Sequence, residues 1–169
     1  MPLLEQISTN NVLAFKTVRL WALQDSPAAF GSTFARESQF SDAEWVRRAA
    51  NMNGEKRMGY LAMDDESPCG IIGAFLDEND SLSASVVSMW VAPSHRRTGV
   101  GSSLISAIQT WARSRGVRAL RLMVTGNNRT AIEFYERMGF SMTGKTEPYP
   151  NDPSLIEYEM SQVVSTGDR

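Results

Sequence analysis

One cysteine and one histidine in 169 residues remove the commonest kinds of site chemistry. Cys69 has no second thiol to join, so an internal disulfide is excluded. His95 would have to serve alone in any Ser-His-Asp triad or histidine-rich centre, and no metal is expected. A structural thiol and a loop histidine facing solvent or ligand are the readings left. Long apolar runs are missing too. None approaches the roughly 18 residues of a membrane span, and the amino terminus lacks the basic and apolar regions of an export signal. A reduced, cytoplasmic protein with no membrane partner is expected, with the triplets at Asn79 and Asn128 unglycosylated. Positive charge is not in excess either. Lys and Arg total 17 against 19 Asp and Glu, a net charge of −2 with an isoelectric point near 5.5. That balance argues against a nucleic-acid partner and slightly favours a cationic substrate.

What the chain does have is 42% hydrophobic and 21% charged residues, enough for one domain with a real core. Residues 1–162 are expected to form it, with 163–169 as a flexible tail. A short strand at "LLEQIS" precedes apolar residues at loose helical spacing from Asn11 to Asp25. Ser26 as N-cap and Pro27 at the first helical position predict a second helix through "DSPAAFGSTFARES". Ser41 followed by Glu44 predicts a capping box opening a third. Strands follow near Lys56 to Met63 and Cys69 to Leu76, joined by the turn "DDESP", and another from Leu82 ends at Pro93. Val100, Leu104, Ile108 and Trp111 mark the buried stripe of a helix closed by Gly116. The strand "VRALRLMV", the helix "NRTAIEFYERM" stopped by Gly139, and strands at "FSMTGK" and "LIEYEM" complete the pattern. This order predicts an α/β fold: a mixed sheet with helices on both faces.

The densest chemistry lies in "APSHRRTGVGSSL", which joins a strand to a helix amino terminus. The first amides of that helix have no helical acceptors and the dipole adds partial positive charge, so the junction suits a phosphate. Gly99 and Gly101 let a ligand approach the backbone, and Arg96 and Arg97 supply charge-assisted hydrogen bonds. A tight turn flanked by solvated arginines is the alternative. The Walker pattern lacks its Lys-Ser/Thr pair, and a dinucleotide fingerprint would need a third glycine where Leu104 stands.

A second motif lies downstream. "RRTGVG" resembles the Arg/Gln-x-x-Gly-x-Gly/Ala pyrophosphate loop of the GNAT acetyltransferase superfamily, and "NRTAIEFYERMGF" resembles its later Asn-x-x-Ala-x-x-Phe-Tyr segment. The resemblance is strong over Val86 to Phe140 and implies a mostly antiparallel central sheet and acetyl-CoA as the donor. It implies that Met89, Trp90 and Val91 offer their backbone to the pantetheine arm, and that Arg97, Thr98, Gly99, Val100, Gly101 and Ser102 hold the pyrophosphate. Asn128 would hydrogen-bond the cofactor arm, with a plain N-cap as the alternative. Tyr135 would protonate the departing thiolate, with packing as the alternative. Where a branch of the family carries a catalytic glutamate this chain has Met123, so the base is expected to be Glu37, Glu147, a water chain from Ser88, or no single carboxylate. Phe30 and Phe34, with Glu37, fall in the segment that lines the family's acceptor pocket. Direct acetyl transfer to a primary amine, on a small molecule or a peptide, is expected; a CoA-binding sensor without turnover is the other class. A homodimer is left open.

Overall fold

The stripe of α4 (Val100–Ser114) shows how the sheet is covered: Val100, Leu104, Ile108 and Trp111 are all buried. They pack on β2 (Arg57–Asp64), β3 (Ser67–Leu76) and β4 (Ser83–Val91). The close approach runs over Gly70 of β3, where an added Cβ would lie 3.1 Å from Leu104 Cδ1 and 3.3 Å from a Val100 methyl. On the opposite face lies α1 (Val12–Asp25), which buries Phe15, Val18, Ala22 and Leu23. Trp90 of β4 points to that side: its Nε1 donates to Asp25 at 3.0 Å and its ring meets Trp21 edge-on. Helices therefore cover both faces, as strand alternation requires for a doubly buried strand.

The computed structural model describes residues 2–164. The remaining elements are β1 (Leu3–Gln6), a one-turn α2 (Phe34–Glu37), α3 (Asp42–Asn51), β5 (Ala119–Thr125), α5 (Arg129–Arg137), β6 (Ser141–Tyr149) and β7 (Asp152–Val163). The seven strands form one sheet in the order β1-β2-β3-β4-β5-β7-β6. Every neighbouring pair is antiparallel except β4 and β5, which run parallel.

Three local expectations need correction. The helix predicted from Ser26 is broken: Pro27–Ala29 is a single 3₁₀ turn, Phe30 is extended, and helix resumes only where Thr33 Oγ1 accepts from Arg36 N–H at 3.1 Å. The physical reason is remote. The Tyr149 hydroxyl reaches the carbonyls of Pro27 and Phe30, and Asn151 Nδ2 also donates to Phe30, contacts that hold this segment in its extended path. At the next helix Ser41 Oγ does accept from Glu44 N–H at 3.1 Å, but Glu44 turns its carboxylate to Arg47 instead of closing the box. The reciprocal box forms instead at Ser8 and Asn11. Finally, β7 runs through Val163, and the buried Val164 donates its N–H to Arg118 at 2.7 Å. The structured chain therefore passes the boundary expected at 162, and 165–169 lie outside the described residues.

Leu104 is fully buried between α4 and the sheet. Leu104→Ala is expected to cost about 2–5 kcal/mol, lowering the urea midpoint with little change in slope.

Candidate functional site

The site begins where two strands part. β4 and β5 pair only over Ser83–Ser85 with Ala119–Arg121, after which their facing backbone edges separate. In β4 the divergence coincides with a bulge: Ile71 opposes Trp90 and Gly73 opposes Val87, so Ser88 and Met89 face the single residue between, with Ser88 at φ 60°. A bulge of this kind bends its strand and ends a regular ladder. A cleft of about 530 Å³ opens there, lined by Phe30 to Ser32, Ser85 to Met89, Leu122 to Thr125, Asn128, Tyr135, Glu157 and Glu159, among others.

The amino terminus of α4 is not itself part of that lining but lies beside it: a Cβ on Gly101 would sit 3.2 Å from the Met89 side chain. Gly99 occupies the N-cap position in the left-handed region, φ 94°, where a side chain would be strained. The amides of Val100, Gly101 and Ser102 that follow have no helical acceptor. Arg97, also at positive φ (63°), is exposed and forms no ion pair among the described residues. Thr98 turns its hydroxyl back to the carbonyl of His95, and Ser102 is exposed. Arg96 departs from expectation: its Nε donates to the Val91 carbonyl at 2.8 Å and its Nη2 to Asp25 at 2.7 Å. Through these two groups it ties the loop to α1. Gly101 also has a reason unrelated to a ligand. A Cβ there would sit 3.1 Å from the Phe134 ring and 3.2 Å from Met89, so the glycine lets α5 close on α4 and β4.

Met89 lines the cleft, Val91 is half-buried at its edge, and Trp90 is buried toward α1. Ala92 N–H donates to Cys69 at 2.8 Å, so by alternation the polar groups of Val91 face away from β3, toward the gap. Asn128 caps α5, its Oδ1 accepting from Ala131 N–H at 3.2 Å. Its Nδ2 takes no protein acceptor among the described residues. Tyr135 is half-buried with its ring edge-on to Phe134 and Phe140. Its hydroxyl makes no protein hydrogen bond among the described residues, and burial pushes its pKa up, so it stays protonated and able to donate.

Glu37 is not a base. It is 1% exposed, and both oxygens are held: Oε1 by Arg19 Nε and Arg48 Nη1, each at 3.0 Å, and Oε2 by Arg19 Nη2 at 2.9 Å. Burial acts to raise its pKa, but the two guanidiniums outweigh it and bring it from 4.5 to about 2. Arg19 then passes its Nη1 to Ser88 Oγ at 2.9 Å, tying this buried cluster to the β4 bulge. Phe30 lines the cleft under the Arg19 guanidinium, whose Cζ lies 5.1 Å from the ring centroid. Phe34, 36% exposed, lies outside the lining, as does Glu147. His95 bridges Ser94 and Asp64, and burial raises the pKa of the Cys69 thiol.

Sequence reasoning missed Arg19, Tyr149, Glu157 and Glu159. Only the last two had a local signal: "IEYEM" alternates, which puts both carboxylates on one face of a strand.

Breaking the buried cluster is expected to be costly and pH-dependent. Glu37→Gln should lose about 3–5 kcal/mol at neutral pH by leaving two guanidiniums underpaired. Because the folded pKa is depressed, the stabilisation is complete above about 4.5 and lost as pH falls toward about 2. Denaturant curves of wild type and variant should therefore converge across that window.

The model of the acetyltransferase (GNAT) family matches residues 17–140. A streptothricin acetyltransferase of Escherichia coli is 33% identical over 125 residues, which cover 62% of this chain and 71% of that protein. The crystal structure of nourseothricin acetyltransferase superposes with a TM-score of 0.60 at 30% identity, over 65% of this chain and 66% of that one. An aminoglycoside 6′-N-acetyltransferase complexed with coenzyme A shares the fold over 99% of each chain, with a TM-score of 0.70 at 18% identity. With the family model spanning most of the chain, from α1 to the end of α5 and including both the α4 loop and Tyr135, this protein belongs to the GNAT family of acetyltransferases.

Proposed function

We propose that the enzyme transfers the acetyl group of acetyl-CoA directly to a primary amine of a small cationic molecule, of the streptothricin or aminoglycoside kind, in a ternary complex. The observation that carries this reading is the open edge of β4 beyond Ser85, running from the amino terminus of α4 to the cleft beside Tyr135. Unpaired backbone amides at a buried edge need partners, and an extended chain bearing its own amides provides them as an added strand would. The pantetheine arm is such a chain. Its pyrophosphate then falls to the amides of Val100, Gly101 and Ser102, with Arg97 free to add charge.

Acetyl-CoA supplies the activated acyl group as a thioester. The protein's own residues do the rest. Met89 and Ser88 bound the gap where the thioester carbonyl is held, Asn128 offers Nδ2 to the arm, and Tyr135 donates its proton to the sulfur as it departs. Phe30 and the turn pinned by Tyr149 wall the side from which the acceptor enters. Support for the acceptor class comes from the streptothricin, nourseothricin and aminoglycoside enzymes that the chain resembles, together with Glu157 and Glu159 in the cleft lining.

Incubation with acetyl-CoA and a panel of streptothricin, kanamycin, spermidine and a tetrapeptide, read by thiol release and product mass, tests the reading. Acetylation of the cationic small molecules is expected; transfer to the peptide alone, or to nothing, overturns it. Gly99→Val and Arg97→Ala should weaken acetyl-CoA binding by calorimetry, the glycine variant more sharply, while the fold survives. Gly101→Val is a poorer probe, because it also forces α5 away from α4. Tyr135→Phe should lower kcat by roughly 10²-fold with little change in acetyl-CoA affinity.

A further inference from the structure

A free amine near neutral pH is mostly protonated, so some group must take a proton before nitrogen can attack. The carboxylates and the hydroxyl suggested by the sequence do not fit. Glu37 is neutralised by two arginines, Glu147 stands exposed on β6 outside the cleft lining, and Ser88 Oγ already accepts from Arg19. Met123 of β5, which lines the cleft, cannot accept a proton. Its register partner on β7 is Glu159, and two residues along Thr125 faces Glu157. Side chains at such directly paired positions share a face, so both carboxylates stand on the cleft side beside Met123 and Thr125.

The two glutamates are not equivalent. Glu159 Oε1 accepts from the Thr143 hydroxyl at 2.9 Å. Glu157 is half-buried, lines the cleft with Tyr135, and takes neither hydrogen bond nor ion pair among the described residues. We propose that Glu157 is the general base of this acetyltransferase, taking a proton from the acceptor's ammonium within the β4/β5 cleft. This rests on the acetyl-transfer reading above and names the residue which that reading leaves open.

The steps balance. The Glu157 carboxylate removes one proton from R–NH₃⁺, directly or through a water. The freed lone pair forms the C–N bond to the thioester carbonyl carbon, the C–S bond breaks, and the Tyr135 hydroxyl protonates the sulfur. The nitrogen's surplus proton restores Tyr135, and Glu157 returns its own proton to solvent, leaving amide, thiol and one released proton.

The surroundings suit the task. Burial first, and then the Glu147 carboxylate paired opposite on β6, raise the pKa of Glu157 toward the working range of a base. The cationic groups that line the cleft are engaged elsewhere. Arg19 of α1 and Arg48 of α3 hold Glu37, Arg57 of β2 stacks on Phe75, and Arg121 of β5 donates to Ser83 and lies 3.9 Å from Asp77. Glu159 adds only negative charge beside Glu157, and Tyr135 is neutral.

The test is a set of pH profiles of kcat/KM with streptothricin and with spermidine, whose amines differ in basicity. An ascending limb at the same pH for both acceptors is expected. Glu157→Gln should abolish that limb and lower kcat/KM by roughly 10²-fold or more, while acetyl-CoA binding by calorimetry is retained. Glu147→Gln should move the limb to lower pH, a shift that a merely structural role for Glu157 would not produce. A limb that follows the acceptor's own amine pKa, or one unchanged in Glu157→Gln, overturns the inference while leaving acetyl transfer intact. Should neither amine be acetylated, the functional reading fails by itself, and the Glu157 carboxyl is then followed by ¹³C NMR. Titration at or below the ordinary glutamate range would overturn its assignment as base.

Discussion

Everything at the site depends on the early divergence of β4 and β5. Two parallel strands that stayed paired would satisfy each other's amides and leave no gap; here the ladder stops at Ser85 and Arg121. Beyond that point the facing edges carry donors and acceptors that a buried location does not tolerate unpaired. The bulge at Ser88 turns the interruption into a permanent bend; Tyr135 lines the opening that results, and the amino terminus of α4 packs against Met89 beside it.

Holding the bend requires a residue in an unfavourable conformation, and the structure meets that cost with charge. Ser88 at φ 60° is anchored by Arg19, itself fixed by Glu37, which also engages Arg48. Such a cluster adds little net stability over apolar packing, but it admits few alternative geometries. It has a second effect on the cleft. Glu37 draws Arg19 and Arg48 onto itself, and neither Glu157 nor Glu159 takes an ion pair among the described residues. The buried acid thus occupies two of the cations that line the cleft shared by the half-buried Glu157 and Glu159.

Much of this was legible from residues close together in the chain. "RRTGVG" marks a helix amino terminus whose glycine takes a positive φ, and the apolar stripe of α4 is buried as its spacing requires. Asn128 has the N-cap role offered as its alternative, and the mixed sheet with helices on both faces follows the order of elements. What was not legible is equally instructive. Glu37 and Arg96 have the chemistry of a base and of an anion ligand, yet their partners lie far along the chain: Arg19 is 18 positions from Glu37, and Asp25 is 71 from Arg96. No spacing rule sees such pairs. The helix expected after Ser26 fails for the same reason, since the hydroxyl that holds this segment in its extended path belongs to Tyr149.

The sequence by itself determined what depends on short-range geometry: the order and type of most elements, which helix faces are apolar, and the left-handed Gly99 at the amino terminus of α4. These follow from local sterics and periodicity. Tertiary structure decided which side chains share the cleft. The insertion of β7 between β5 and β6 brings Glu157 and Glu159 opposite Thr125 and Met123, and neither the strand order nor that register is written in any one segment. Register follows from how whole faces bury against one another, and a shift of one residue would turn both carboxylates to the other side of the sheet.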